Sequence, residues 1–234
     1  VGYRYSAKGT LEVAPRNVGT VCSILTRKGI QYTVDEENRI QIDHNERAAT
    51  PAPIGLGEPF EEIARYVDEP QSLFINSEIL GEANVGFVGG KVRIDTTEKV
   101  WSKEGEVPTP DRLVALLKAR GIAARVTRVQ GSRKNGRRTR VFDIEPGSGG
   151  PACRVTIKRR FWDSYDLLSV PDVYKPLCRK YHTTPAKLRD ALHSAKFGVE
   201  VRNPALGGPS SDMLFDNLLE IIEEQTEGIR TALG

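Results

Sequence analysis

Residues 177–192, Leu-Cys-Arg-Lys-Tyr-His-Thr-Thr-Pro-Ala-Lys-Leu-Arg-Asp-Ala-Leu, constrain their own folding more tightly than any other part of the chain. Thr184 and Pro185 form a helix start. The threonine hydroxyl caps, and the proline takes the first helical position, where its missing N–H costs nothing. Leu177, Leu188 and Leu192 then supply the apolar contacts that lock two short helices at a steep angle, and Ala191 is small enough for close approach. The turn between them puts His182 where glycine is usual. Histidine tolerates positive φ better than most residues. Thr183 follows, at a position that is ordinarily apolar.

Helix signals recur upstream. Thr109-Pro110-Asp111 opens a helix with a cap, a first-turn proline and a first-turn acid. Leu113, Leu116 and Leu117 lead to a stop at Gly121, with Ile122 as the apolar residue that clasps it. Near the N-terminus, alternation through Tyr3, Tyr5, Leu11 and Val13 predicts a strand region ended by Pro15-Arg16. Asn17 is the expected cap of a helix through Val18, Val21, Cys22 and Leu25, with Gly29 and Ile30 as its stop and clasp. Leu25–Ile30 echoes Leu117–Ile122, and each leads into two strands. Helix, glycine stop and isoleucine clasp recur in unrelated proteins, which outweighs duplication as the reason. Strands are expected over 31–34, 39–43, 71–80 and 86–95, and a short helix over 59–67. Further strands are expected over 123–130 and 139–145, turning at Asn135-Gly136, and over 154–158. A last helix, capped by Ser210 or Ser211, lines up Leu214, Leu218, Ile221, Ile222, Ile229 and Leu233. That stripe packs on the body or pairs with a second copy. The class predicted is α+β. Two small domains, each a helix packed on antiparallel strands, cover 1–100 and 101–202, and the C-terminal helix occupies 203–234.

Charge is segregated along the chain. Residues 1–100 carry 11 Lys/Arg against 15 Asp/Glu, 101–202 carry 22 against 10, and 203–234 carry 1 against 6. A polyanion therefore meets the middle block first. Five cations crowd eight residues there: Arg133, Lys134, Arg137, Arg138 and Arg140. Lys158, Arg159 and Arg160 follow on the next strand. The three cysteines are odd in number and far apart, which fits a reducing compartment better than a disulfide framework. No apolar run approaches the roughly 18 residues a membrane helix needs. A cytoplasmic chain without membrane contact is expected. Phosphate-binding loop, dinucleotide fingerprint and nucleophile elbow are all missing from the sequence.

Residues 175–196 resemble the helix-turn-helix of bacterial regulators and recombinases. The resemblance implies nucleic-acid contacts from Thr184, Lys187, Arg189 and Lys196. A plain helical hairpin would look similar. With the basic hairpin, this predicts a non-catalytic nucleic-acid-binding protein, DNA favoured over RNA, needing no cofactor and forming a homodimer through 210–233. Helix 110–120, three strands and a helix also resemble, in order alone, the double-stranded-RNA-binding domain, without that family's basic start to the second helix. Tyr3–Val13, the helix to Gly29, and Gly81-Glu82 with Gly90-Lys91-Val92 resemble small uncharacterised proteins of actinobacteria and their phages. That likeness implies a small α+β domain in a mobile-element setting. A structural or accessory phage component is thus one alternative. A metal-dependent nuclease is another, because Asp143, Glu145 and Lys158 fall on successive strands as in restriction-type enzymes, although Thr156 stands where their acid–x–Lys pair needs an acid. A zinc site from Cys153, Cys178, His182 and His193 matches no common finger spacing.

Overall fold

The computed structural model describes residues 3–48, 57–68, 70–77, 81–102, 107–134, 137–159 and 171–233. It has the mixed helix and antiparallel-strand composition of the α+β class. The chain divides into two units, residues 1–95 with 204–206, and residues 96–203 with 207–234.

In the first unit, β1 (Tyr3–Leu11), β2 (Tyr32–Val34), β3 (Ile40–Ala48), β4 (Gln71–Ser77), β5 (Gly81–Val88) and β6 (Lys91–Ile94) form one antiparallel sheet in the order β2-β3-β1-β4-β5-β6. Helix α1 (Pro15–Arg27) and a 3₁₀ helix over Glu58–Tyr66 complete its core through Val21, Leu25, Phe60 and Ile63. α1 begins two residues before the expected Asn17 cap, with Ala14 at the cap and Pro15 at the first helical position. The Asn17 N–H already bonds Ala14 O at 2.7 Å, so Asn17 lies inside the first turn. The expected stop holds: Gly29 has φ +72°, and the Ile30 N–H bonds Leu25 O at 2.9 Å. The pair of strands expected over 71–95 is three. Gly89 and Gly90, both at positive φ, make the β5–β6 turn, the geometry a two-residue hairpin requires.

The turn after β2 carries a local electrostatic device. Asp35 Oδ1 accepts the N–H groups of Arg39 (2.9 Å) and Glu37 (3.0 Å), and Oδ2 accepts Arg39 Nε (2.8 Å). Hydrogen bonds to the charged form, the Arg39 N–H first, hold this carboxyl below its usual value. A lowered folded pKa contributes stability that is present above the unfolded pKa and lost as pH falls through the folded one. Asp35→Asn should therefore lower the melting temperature at neutral pH, and the deficit should close as pH drops below about 4. Melting curves of both proteins across that range check this. A pH-independent deficit would contradict it.

In the second unit, β7 (Thr96–Ser102), β8 (Ala124–Lys134), β9 (Arg137–Pro146), β10 (Cys153–Arg159), β11 (Phe197–Asn203) and β12 (Ile229–Leu233) form an antiparallel sheet in the order β12-β7-β11-β10-β9-β8. β7 belongs here because it pairs with β11 and β12, so the division falls at 95/96 rather than at 100/101. Helices α2 (Pro110–Ala119) and α5 (Pro209–Thr226) cover one face. Leu113, Leu117, Leu214, Leu218 and Ile222 meet Val100, Phe142, Ile144, Val155 and Val199 there. Thr109 caps α2 as expected, and Gly121 at φ +79° with Ile122 closes it. α5 is capped at Gly208, not at a serine, and it ends at Thr226. Ile229 and Leu233 lie in β12, outside the helix. The apolar stripe of α5 is buried in its own unit, so it is not available to a second copy.

Successive strand residues point to opposite faces. Val100 faces α5, so Trp101 faces the other side, and Ile229 lies opposite it in the ladder. On that face Trp101, Leu188 and Leu192 form a separate apolar cluster, edged by Tyr174, Leu177, Cys178, Ala195 and Ile229. The helical hairpin α3 (Pro171–Lys180) and α4 (Pro185–His193) is seated there.

Candidate nucleic-acid interface

The basic hairpin is β8–β9. Its register sets Ser132 opposite Thr139, Arg133 opposite Arg138, and Lys134 opposite Arg137. Asn135 and Gly136, the expected turn, lie outside the described residues. Among the described residues β10 pairs with β9 as far as Lys158–Thr139, so the last two cross-strand positions of the hairpin have no third-strand partner there. Both hold pairs of cationic residues. Like charges placed directly opposite one another weaken a ladder, so this tip is not arranged for stability. Arg140 is exposed and sits opposite Gly131. Lower down, two arginines are matched by acids: Arg125 Nε bonds Glu145 at 2.7 Å, and Arg154 forks onto both Asp143 oxygens at 2.8 and 3.1 Å. β8 is an edge strand. A register irregularity between Val126 and Arg128 bends it, a common protection of open edges.

α3 ends as its sequence allows. His182 adopts φ +47°, its N–H bonds Arg179 O, and the Thr183 N–H bonds Cys178 O at 3.0 Å. This is the paired helix stop normally built on glycine. Thr184 Oγ1 caps α4 by accepting the Lys187 N–H at 3.4 Å. Leu188 and Leu192 are buried, whereas Thr184, Lys187, Arg189 and Lys196 are exposed. Among the described residues, Lys187, Arg189 and Lys196 make no ion pair. Asp190 shares the exposed face of α4 and lowers its net charge.

Two anchoring groups were not singled out by sequence reasoning. Trp101 seats the hairpin and donates its Nε1–H to Thr231 Oγ1 at 2.9 Å. Tyr181, in the turn itself, donates to Glu223 Oε1 (2.8 Å) and accepts the Arg230 N–H (2.6 Å), while Lys180 Nζ lies 2.8 Å from Glu223 Oε1 and 3.0 Å from its Oε2. The turn is thereby tied to α5 and to the edge strand β12. Neither role has a local sequence signal, because both partners are distant in the chain.

Lys158 is half-buried on β10 and pairs with Glu200 at 3.7 Å, which Lys99 also approaches at 3.6 Å. Arg159 holds the last position of β10, opposite Phe197. Arg160 lies outside the described residues. The nuclease arrangement is not assembled. Asp143 is held by Arg154 and Glu145 by Arg125. Lys158 sits opposite Thr139, four positions along β9 from Asp143, or about 13 Å. The zinc set is likewise dispersed. Cys153 is under α5, its thiol pushed up to about 12 by burial, while Cys178 belongs to the cluster around Trp101. Among the described residues, no three of His, Cys, Asp and Glu come close enough to hold a metal ion, and no helix is long and apolar enough to cross a membrane. Compared with protein-family models, curated proteins and solved structures, the chain matches none.

Proposed function

We propose that the second unit binds nucleic acid, with duplex DNA as the favoured partner and the β8–β9 tip and α4 as the contacting elements. The observation that carries this is the tip. Two consecutive cross-strand positions hold Arg133 with Arg138 and Lys134 with Arg137, beyond the last β10 partner. A ladder gains nothing from such pairs, whereas a row of phosphates binds them and releases counterions. The exposed Lys187, Arg189 and Lys196, which make no ion pair among the described residues, add to the same field.

Fluorescence anisotropy with random duplex DNA and duplex RNA across a salt series tests the proposal. The logarithm of affinity should fall linearly with log salt, by about 0.9 for each phosphate contacted in B-DNA. Arg137→Ala/Arg138→Ala should flatten the slope by about 1.8, and Arg189→Ala by about 0.9 if its contact is to phosphate. Absence of binding at low salt would overturn the proposal. A protein-contact role would then be favoured by the open edge of β8, where Val129 is 68% exposed.

A further inference from the structure

We infer that the partner is a duplex engaged in two successive grooves at once, the β8–β9 tip entering one and α4 the next, with the end of β10 on the phosphate strand between them. The inference rests on the nucleic-acid function proposed above and adds its geometry. The antiparallel register sets all three elements at one end of the sheet. Lys158 is opposite Thr139, Arg159 opposite Phe197, and Phe197 opposite Ser102. The Lys196 N–H bonds Ser102 O at 2.9 Å, which fixes the exit of α4 at that same end.

Across the sheet the order is tip, β10, β11, β7, and α4 sits on Trp101 of β7. Adjacent strands are about 4.8 Å apart, so three to four steps separate the hairpin from β7 by about 14–19 Å, and α4, packed about 10 Å off that face, stands about 18–22 Å from the hairpin. Half a turn of B-DNA measures about 17–18 Å along the axis. Lys158 and Arg159, on β10, fall between the two elements, where the intervening phosphates would lie.

Length decides the matter. Binding of the full chain to stem-loop-closed DNA duplexes of about 5, 10 and 15 base pairs would be measured at one low salt concentration, beside a 10-nucleotide single strand and the same duplexes in RNA. Two grooves half a turn apart need about one turn of duplex, 10 base pairs. Affinity should therefore step up about tenfold or more between 5 and 10 base pairs, as the second contact becomes intramolecular, and rise little beyond. Arg133→Ala/Lys134→Ala/Arg137→Ala/Arg138→Ala should abolish the step and reduce the salt slope by up to about 3.6. Lys187→Ala/Arg189→Ala should also lose the step while keeping the tip's share of the slope. A smooth rise with length, or a single strand or RNA duplex bound as tightly as DNA, would overturn the two-groove geometry and leave nucleic-acid binding standing. Failure of the wild type to bind any of these probes would overturn both.

Discussion

Trp101→Ala is expected to free the α3–α4 hairpin from a sheet that otherwise stays folded. Trp101 is 3% exposed and belongs to a cluster whose other buried members, among the described residues, are Leu188 and Leu192. Truncating a buried tryptophan to alanine costs about 3–5 kcal/mol. Full burial of a leucine side chain contributes about 1.5–3 kcal/mol, so the loss is comparable to what the hairpin gains from its own leucines. The ties through Tyr181, Glu223 and Arg230 remain, about 1 kcal/mol for the Arg230 N–H bond and about 1.5–3 kcal/mol for the bond to the Glu223 carboxylate, so they hold the turn without replacing the lost packing. The larger core beneath α2 and α5 does not contain Trp101. The expected result is therefore local unfolding, not global. Limited trypsin digestion reads it directly, since the hairpin offers Arg179, Lys180, Lys187 and Arg189. Cleavage should appear within 179–189 while the fragments holding β9 and α5 persist. In the anisotropy titration the variant should retain the salt slope of the tip and lose that of α4. Uniform proteolysis across the second unit would show that the hairpin and the sheet fold as one.

Local signals in the sequence carried far in this chain, and distant pairings did not. Both glycine stops, at Gly29 and Gly121, and the Thr109 and Thr184 caps were legible because a helix end is decided by five or six neighbouring residues. His182 was legible for the same reason: a turn that needs positive φ selects among few residue types. The start of α1 was misplaced because Pro15 serves equally as a strand terminator and as a first helical residue, and only the ladder partners of β1 distinguish them. β7 and β12 were missed as neighbours because their pairing joins residues about 130 apart. The excursion of 204–206 into the first unit is invisible for a similar reason. Ala205 bonds Asp95 across 110 residues, and Gly86 leaves room for the Ala205 backbone, which a Cβ there would approach to 2.9 Å. The cationic crowding at 133–140 could be counted directly, but that it forms opposed pairs beyond the last β10 partner follows only from the register.

Phe87→Ala and Phe142→Ala should each lower one thermal transition and leave the other in place. Phe87 in β5 and Phe142 in β9 are 0% and 1% exposed, and the apolar clusters that hold them share no residue. Each truncation should cost about 3–5 kcal/mol, which for units of this size corresponds to about 10 °C or more. Two units with separate cores need not unfold together, so a single midpoint does not describe the chain. Calorimetry of the wild type should show two components, with Phe87→Ala moving one and Phe142→Ala the other. The tip residues and α4 all belong to the second unit. Above the lowered transition of Phe87→Ala, salt-dependent binding of duplex DNA should therefore survive, and above that of Phe142→Ala it should vanish. One transition shifted by both substitutions would mean that the two cores stand or fall together. Loss of binding in Phe87→Ala alone would place the contacting surface in the first unit.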